Sequence, residues 1–355
     1  MDFGVAFPAS PQAYRDVELA EKLGFTHAWL DDSQLLFSDP YVSLALCAVH
    51  TSKIALGVGV TNPSSRIAPV TANSIATVNQ LAPGRTMLGI GTGNTARRTL
   101  GMPAARVADL REHVRVVRDL LAGKTTSYTE GGRHRQIRFL NPGTTWINTD
   151  TPVPVYVAGS GPRVLEVAGA VADGIILFGA VSPSLADFVM SRVRSGARAA
   201  GRDPATISVM CMTAFWLTEP GENLESDRVR AMIGPFVSSA ANIFALSAPD
   251  PGMLPAELRD DIMAFRDIFV HPDGPEESRH LDMYSGYAVG LRPEVAPLIT
   301  ERIIRATTLT GTAAEIVSAV EGMRAAGIDK VAIRPVIDHS TTMETFAREV
   351  ISRAG

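Results

Sequence analysis

Residues 54–94 read IALGVGVTNPSSRIAPVTANSIATVNQLAPGRTMLGIGTGN. Ile54 to Val60 is a short apolar, β-branched run of strand length, and Asn62-Pro63 after it is a turn signal. Pro69 to Leu81 carries a helical pattern. Thr86 to Ile90 (TMLGI) is a second run of strand length, opening into Gly91-Thr92-Gly93-Asn94. Strand, helix and strand in this order are one unit of an α/β fold with a parallel sheet.

The unit repeats outward in both directions. Upstream, Phe3 to Phe7 (FGVAF) reads as a strand and Gln12 to Leu23 as a helix closed by Gly24. His27 to Leu30 (HAWL) is the second strand, followed by polar Asp31-Asp32-Ser33-Gln34 and a helix from Pro40 to His50. Downstream, the helix Ala104 to Leu121 has Val107, Leu110, Val114, Val117 and Leu121 spaced by threes and fours. Val153 to Val157 and Gly174 to Phe178 are the fifth and sixth strands, and Ile207 to Leu217 holds the seventh. Lys330 to Arg334 (KVAIR) is the eighth, after a helix from Thr312 to Gly327.

Eight alternations predict a single α/β domain over residues 1–355, a (β/α)8 TIM barrel. A doubly wound sheet is the competing fold, since periodicity does not separate the two. Two segments break the rhythm. One follows strand four and its helix: Thr125 to Asp150, rich in Gly, Thr and Arg, reads as a hairpin insertion. The other follows strand seven: Ser247 to Pro297, rich in Pro, Gly and Asp, reads as a long excursion beside the active-site face.

Composition narrows the function. With 46% hydrophobic and 20% charged residues, the chain is an ordinary globular one. A formal net charge of −4 gives no reason to expect nucleic acid. The N-terminus MDFGVAFP lacks a basic region and an apolar core, and no apolar stretch is read as approaching the roughly 20 residues of a membrane span. Cytoplasm is the expected setting. Cys47 and Cys211 sit in apolar runs and read as reduced core thiols. The seven histidines show no HExxH or Cys/His spacing, so no metal site is expected.

Three blocks together carry a resemblance: LDDSQLLF onward through GIGTGN, YVAGSGPRVLEVAGAVADGIIL at 156–177, and LTGTAAEIVSAVEGMRAAGIDKVAIRP at 309–335. The chain resembles the bacterial luciferase-like monooxygenase superfamily, most closely its coenzyme F420-dependent branch, which includes methylenetetrahydromethanopterin reductase. The resemblance implies a homodimer acting on a small molecule; charge and composition give no reason to expect a nucleic acid or membrane partner. Helices two and three would supply the dimer face.

The cofactor positions follow block by block. Gly159-Ser160-Gly161-Pro162 lies between strand five and its helix, where backbone N–H groups and glycines suit a phosphate. A plain tight turn would use the same residues. Pro162 fits a first helical position. The resemblance places a non-proline cis peptide at Gly59–Val60, supporting one face of a flavin-like ring, with Thr61 and Asn62 beside it. The fragment GTGNTA lacks the third glycine of a dinucleotide fingerprint. The resemblance instead puts Gly93, Asn94 and Thr95 near the ring or ribityl chain. Arg97 and Arg98 would face an anionic tail or substrate, or simply solvent.

The departures bear on chemistry. F420-dependent sugar and alcohol dehydrogenases of this superfamily carry Asp-His after strand two and an acidic residue after strand four. Here those positions are Asp32-Ser33 and Asn94. A hydroxyl or carboxamide is no efficient general base near neutral pH. The expected reaction is therefore hydride transfer with F420, reducing C=C or C=N bonds rather than oxidising alcohols. Asp32, Ser33 and Asn94 are the catalytic candidates, though Asp32 also suits a cap or turn. The alternatives are an FMN-dependent monooxygenase using O2 and a non-catalytic flavin-binding protein. Met232, Phe236, Phe244 and Phe265 suggest an apolar substrate wall or plain core.

Overall fold

The computed structural model describes residues 1–248, 250–270, 274–284, 287 and 290–354. Eight parallel strands close a barrel: β1 Asp2–Phe7, β2 His27–Leu30, β3 Ala55–Thr61, β4 Thr86–Ile90, β5 Val155–Ala158, β6 Gly174–Phe178, β7 Ser208–Thr213 and β8 Lys330–Ile333. Closure comes from β8 pairing with β1, Asp2 opposite Lys330 and Val5 opposite Ile333. A doubly wound sheet would leave those edges apart, so the barrel is the fold.

Strands buried on both faces must divide their side chains between the barrel lumen and the helices outside. From β2, His27 and Trp29 fill the lumen, and Trp29 Nε1 donates to His27 Nδ1 at 2.9 Å. Neighbouring strands answer with glycine. A Cβ on Gly57 would lie 2.5 Å from the Trp29 ring, and one on Gly174 would lie 2.2 Å from Tyr156. Trp29 and Tyr156 meet edge to face, with centroids 5.3 Å apart. Burial holds His27 down to about 3, so it is a neutral hydrogen-bond acceptor at physiological pH. The lumen is therefore packed at this level, and a cavity opens toward the C-terminal strand ends.

The strand-to-helix connections set the site's position. Helix Ala313–Ala326 starts in a capping box, with Thr312 and Glu315 serving each other's backbone N–H groups, and ends at Gly327 with φ +98°. Helix Val107–Leu121 begins three residues later than the sequence pattern predicts. The chain before it forms a separate short helix, Asn94–Arg98.

The first insertion is a hairpin, as expected: Thr126–Glu130 pairs antiparallel with Arg133–Ile137 through Gly131-Gly132, both at positive φ. The second differs from the sequence reading. The expected seventh strand divides into β7 and a further piece, Phe215–Leu217, which pairs in parallel with Leu309–Gly311. Everything between Leu217 and Leu309 is the excursion, and it opens with a helix, Asp227–Ser247.

That helix corrects the membrane reading, because its length and apolarity would suffice to cross a bilayer. Most of it is buried inside this fold instead, and Phe236 stacks on Phe178 of β6 at 4.5 Å. Phe236, Phe244 and Phe265 are core side chains. Residues 249, 271–273, 285, 286, 288 and 289 of the expected excursion lie outside the described residues. Cys47 and Cys211 are buried free thiols, each pushed up to about 12 by desolvation.

Candidate active site

A cavity of about 550 Å³ opens at the C-terminal ends of the strands. Of the residues singled out in the sequence, Asp32, Ser33, Gly59, Val60, Gly93, Asn94, Thr95, Gly159, Ser160 and Gly161 all line it. Thr61 and Asn62 do not. Both are fully buried, and Asn62 is used by its own turn: Oδ1 accepts from Ser64 N and Ser65 N at 3.0 Å, and Nδ2 donates to Ser65 Oγ at 2.7 Å. These bonds tie the Asn62 side chain to its own turn, outside the cavity lining.

Gly59–Val60 is a cis peptide, and the register between β3 and β4 shifts between Val58 and Thr61. The bulge puts both residues in the cavity wall. At the end of β4, Gly93 sits at φ +81° before the short helix Asn94–Arg98, a left-handed turn that glycine takes without steric cost. Asn94 Oδ1 accepts from Arg98 Nε at 2.9 Å, while its Nδ2 is buried with no partner among the described residues. Such an orphaned donor needs an acceptor to offset its desolvation. Arg98 lines the cavity; Arg97 instead donates to Pro103 O at 3.1 Å.

Beyond β5, Gly159-Ser160-Gly161 leads into helix Pro162–Val171. Gly161 stands at the cap position and no side chain caps the helix. The backbone N–H groups of the first turn are therefore free to meet an anion, and the helix dipole favours one. A Cβ on Gly159 would fall 2.4 Å from Val164 Cγ1, so the loop lies too close to the helix for any larger residue.

Near β2 the two aspartates part ways. Asp31 takes two hydrogen bonds from Arg334 at the end of β8, at 3.0 and 2.6 Å. Both residues line the cavity, and Arg334 is almost entirely buried. Sequence reading missed this pair; KVAIR had ended there as a strand. Asp32, next along, has no such partner, and burial pushes its carboxyl up against the lowering influence of Thr61 and Arg66. Ser33 Oγ and Thr95 Oγ1 bond each other at 2.6 Å. No histidine lines the cavity among the described residues, and none of them form a cluster suited to a metal ion. Tyr287 and Ser239 bring the excursion to the same wall, beside Phe178 and Met212.

A closed parallel barrel with its polar groups gathered at the C-terminal strand ends defines an enzyme scaffold of the TIM-barrel class. The model of the luciferase-like monooxygenase family matches residues 9–330, and the chain belongs to that family. Among its relatives, the 5,10-methylenetetrahydromethanopterin reductase of Methanopyrus kandleri is 26% identical, over 94% of this chain and 92% of its own. The F420-dependent glucose-6-phosphate dehydrogenase of Kineococcus radiotolerans is 28% identical, over 77% and 90%. The solved coenzyme F420-dependent tetrahydromethanopterin reductase from Methanopyrus kandleri superposes with a TM-score of 0.72 at 22% identity, covering 100% of this chain and 99% of that one.

Proposed function

We propose that this protein is an F420-dependent oxidoreductase that exchanges a hydride with a small organic molecule. The observation that carries the reading is one cavity lined both by the uncapped start of helix Pro162–Val171 and by the Gly59–Val60 bulge. A cofactor that carries both a flat ring and a phosphate suits that combination of groups. F420-dependent relatives support the choice of the deazaflavin.

The residues present fit the group. The loop Gly159-Ser160-Gly161 and the first-turn N–H groups would hold the phosphate, with the exposed Arg163 beside them. Val60 would support the ring, and the free Nδ2 of Asn94 would donate to the ring or ribityl chain. The bound deazaflavin supplies the hydride. Phe178, Met212 and Ile176 exclude water from the centre of the barrel, and burial favours the protonated form of the Asp32 carboxyl. With Ser33 engaged by Thr95 and Asn94 in place of a carboxylate, reduction of a C=C or C=N bond is favoured over alcohol oxidation.

The same reading includes a homodimer. Val42 and Val49 on helix Pro40–His50, with Val70 on helix Ala68–Leu81, are exposed apolar side chains on the two helices implicated from the sequence.

Titrating the protein with F420 and with FMN, each followed by fluorescence quenching, tests the cofactor. F420 is expected to bind with a micromolar or lower Kd. Binding of FMN in that range with none of F420 would overturn the assignment in favour of a flavin monooxygenase.

A further inference from the structure

Asp31 and Asp32 are adjacent in sequence, yet the fold treats them oppositely. Asp31 is locked by the two-pronged Arg334 contact. Asp32 is only 6% exposed, and its Oδ2 has no hydrogen-bond partner among the described residues. The guanidinium nearest to it belongs to Arg66, with Nε 3.7 Å from Oδ2. That separation is too long for a hydrogen bond but well within the range of a strong field.

Arg66 is held at this distance by other partners. Its Nη2 donates to Asp39 Oδ2, and its Cζ lies 4.7 Å from the centroid of the Tyr41 ring. Asp39 is fixed in turn, because its Oδ1 accepts from Tyr41 N at 2.8 Å and Val42 N at 3.2 Å at the start of helix Pro40–His50. The remaining groups facing Asp32 are the Thr61 hydroxyl of β3, the Tyr41 phenol, Asp39 and its neighbour Asp31. Both carboxylates oppose ionisation of Asp32, and Arg66 favours it.

We propose that Arg66 is a positioning residue that sets the proton affinity of Asp32 without bonding to it. A direct contact like that of Arg334 would hold Asp32 as a carboxylate and leave it no proton to give. The 3.7 Å stand-off leaves the acid form of Asp32 accessible, and stabilises the carboxylate left behind once the proton has gone. The use of that proton rests on the oxidoreductase reading. With a reduced deazaflavin bound, its hydride would form the new C–H bond of the substrate, while the Asp32 O–H bond would break and its proton would form the bond to the neighbouring atom. The cofactor is oxidised by two electrons and the substrate reduced by two.

The coupling can be read without cofactor, by following the Asp32 side-chain carboxyl through a pH titration by 13C NMR, with Asp32→Asn assigning the signal. Arg66→Gln is expected to raise the Asp32 midpoint by about one pH unit or more. Arg66→Lys, which keeps a cation there, is expected to restore most of the difference. An unmoved midpoint in Arg66→Gln overturns the proposal, and so does an equal rise in both variants, which would assign the effect to shape rather than charge. F420 titration of the same samples separates the two readings. If the wild-type protein fails to bind F420, the cofactor assignment falls while the Arg66–Asp32 coupling is still measured.

Discussion

Asp32 concentrates the site's conflict between stability and chemistry. Its folded-state midpoint is raised by burial, so the charged form carries a penalty at pH values above that midpoint, and the penalty disappears as pH falls through it. Asp32→Asn keeps the shape and removes the charge. We expect it to raise the melting temperature at pH 8, with the gain shrinking toward pH 4, and to lower the reductive half-turnover rate by about 10²-fold or more while F420 affinity stays within a few-fold. Calorimetry across pH and stopped-flow absorbance measure the two effects; a gain independent of pH would show that Asp32 bears no uncompensated charge. Most of this site was legible in the sequence, because glycines, Asp32, Ser33 and Asn94 cluster just after strands. Arg334 was not. Its role depends on β8 closing beside β1, one strand from the end of β2, a neighbourhood some 300 residues distant along the chain that no local pattern encodes. Asn62 was legible mainly as a turn residue: an Asn before Pro signals a turn, and the turn engages its side chain.

At the scale of elements, the loop from β5 into helix Pro162–Val171 is the most exacting piece. Gly159→Ala would drive its Cβ into Val164 and push the loop off the helix start. The barrel core does not depend on this contact, so the expected result is an intact circular dichroism spectrum with F420 binding weakened tenfold or more. Unchanged affinity would move the phosphate elsewhere. The eight strands were readable because buried parallel strands are short apolar runs between helical periods. The helix Asp227–Ser247 was not, since Pro235 and its near-continuous apolar character obscure the amphipathic period. Its apolar faces make sense only once β6 and the excursion are seen to enclose it.

For the molecule as a whole, the exposed valines on helices Pro40–His50 and Ala68–Leu81 call for an answer in solution. Val49→Asp with Val70→Asp is expected to convert a dimer into monomers by analytical ultracentrifugation, with the barrel still folded. A wild-type protein that sediments as a monomer would dispose of the dimer directly. The short parallel ribbon of Phe215–Leu217 and Leu309–Gly311 has a different significance. The whole excursion leaves and rejoins the barrel through that one ribbon, while the Gly159 loop and the Gly59–Val60 bulge lie outside it. Helix Asp227–Ser247 is tied to the cradle, since Gly161 packs against Ser247, but the chain beyond it, which supplies Tyr287, can vary with less effect on that loop. The barrel and its first excursion helix can in this way stay constant while the chain beyond Ser247 is refitted to new substrates.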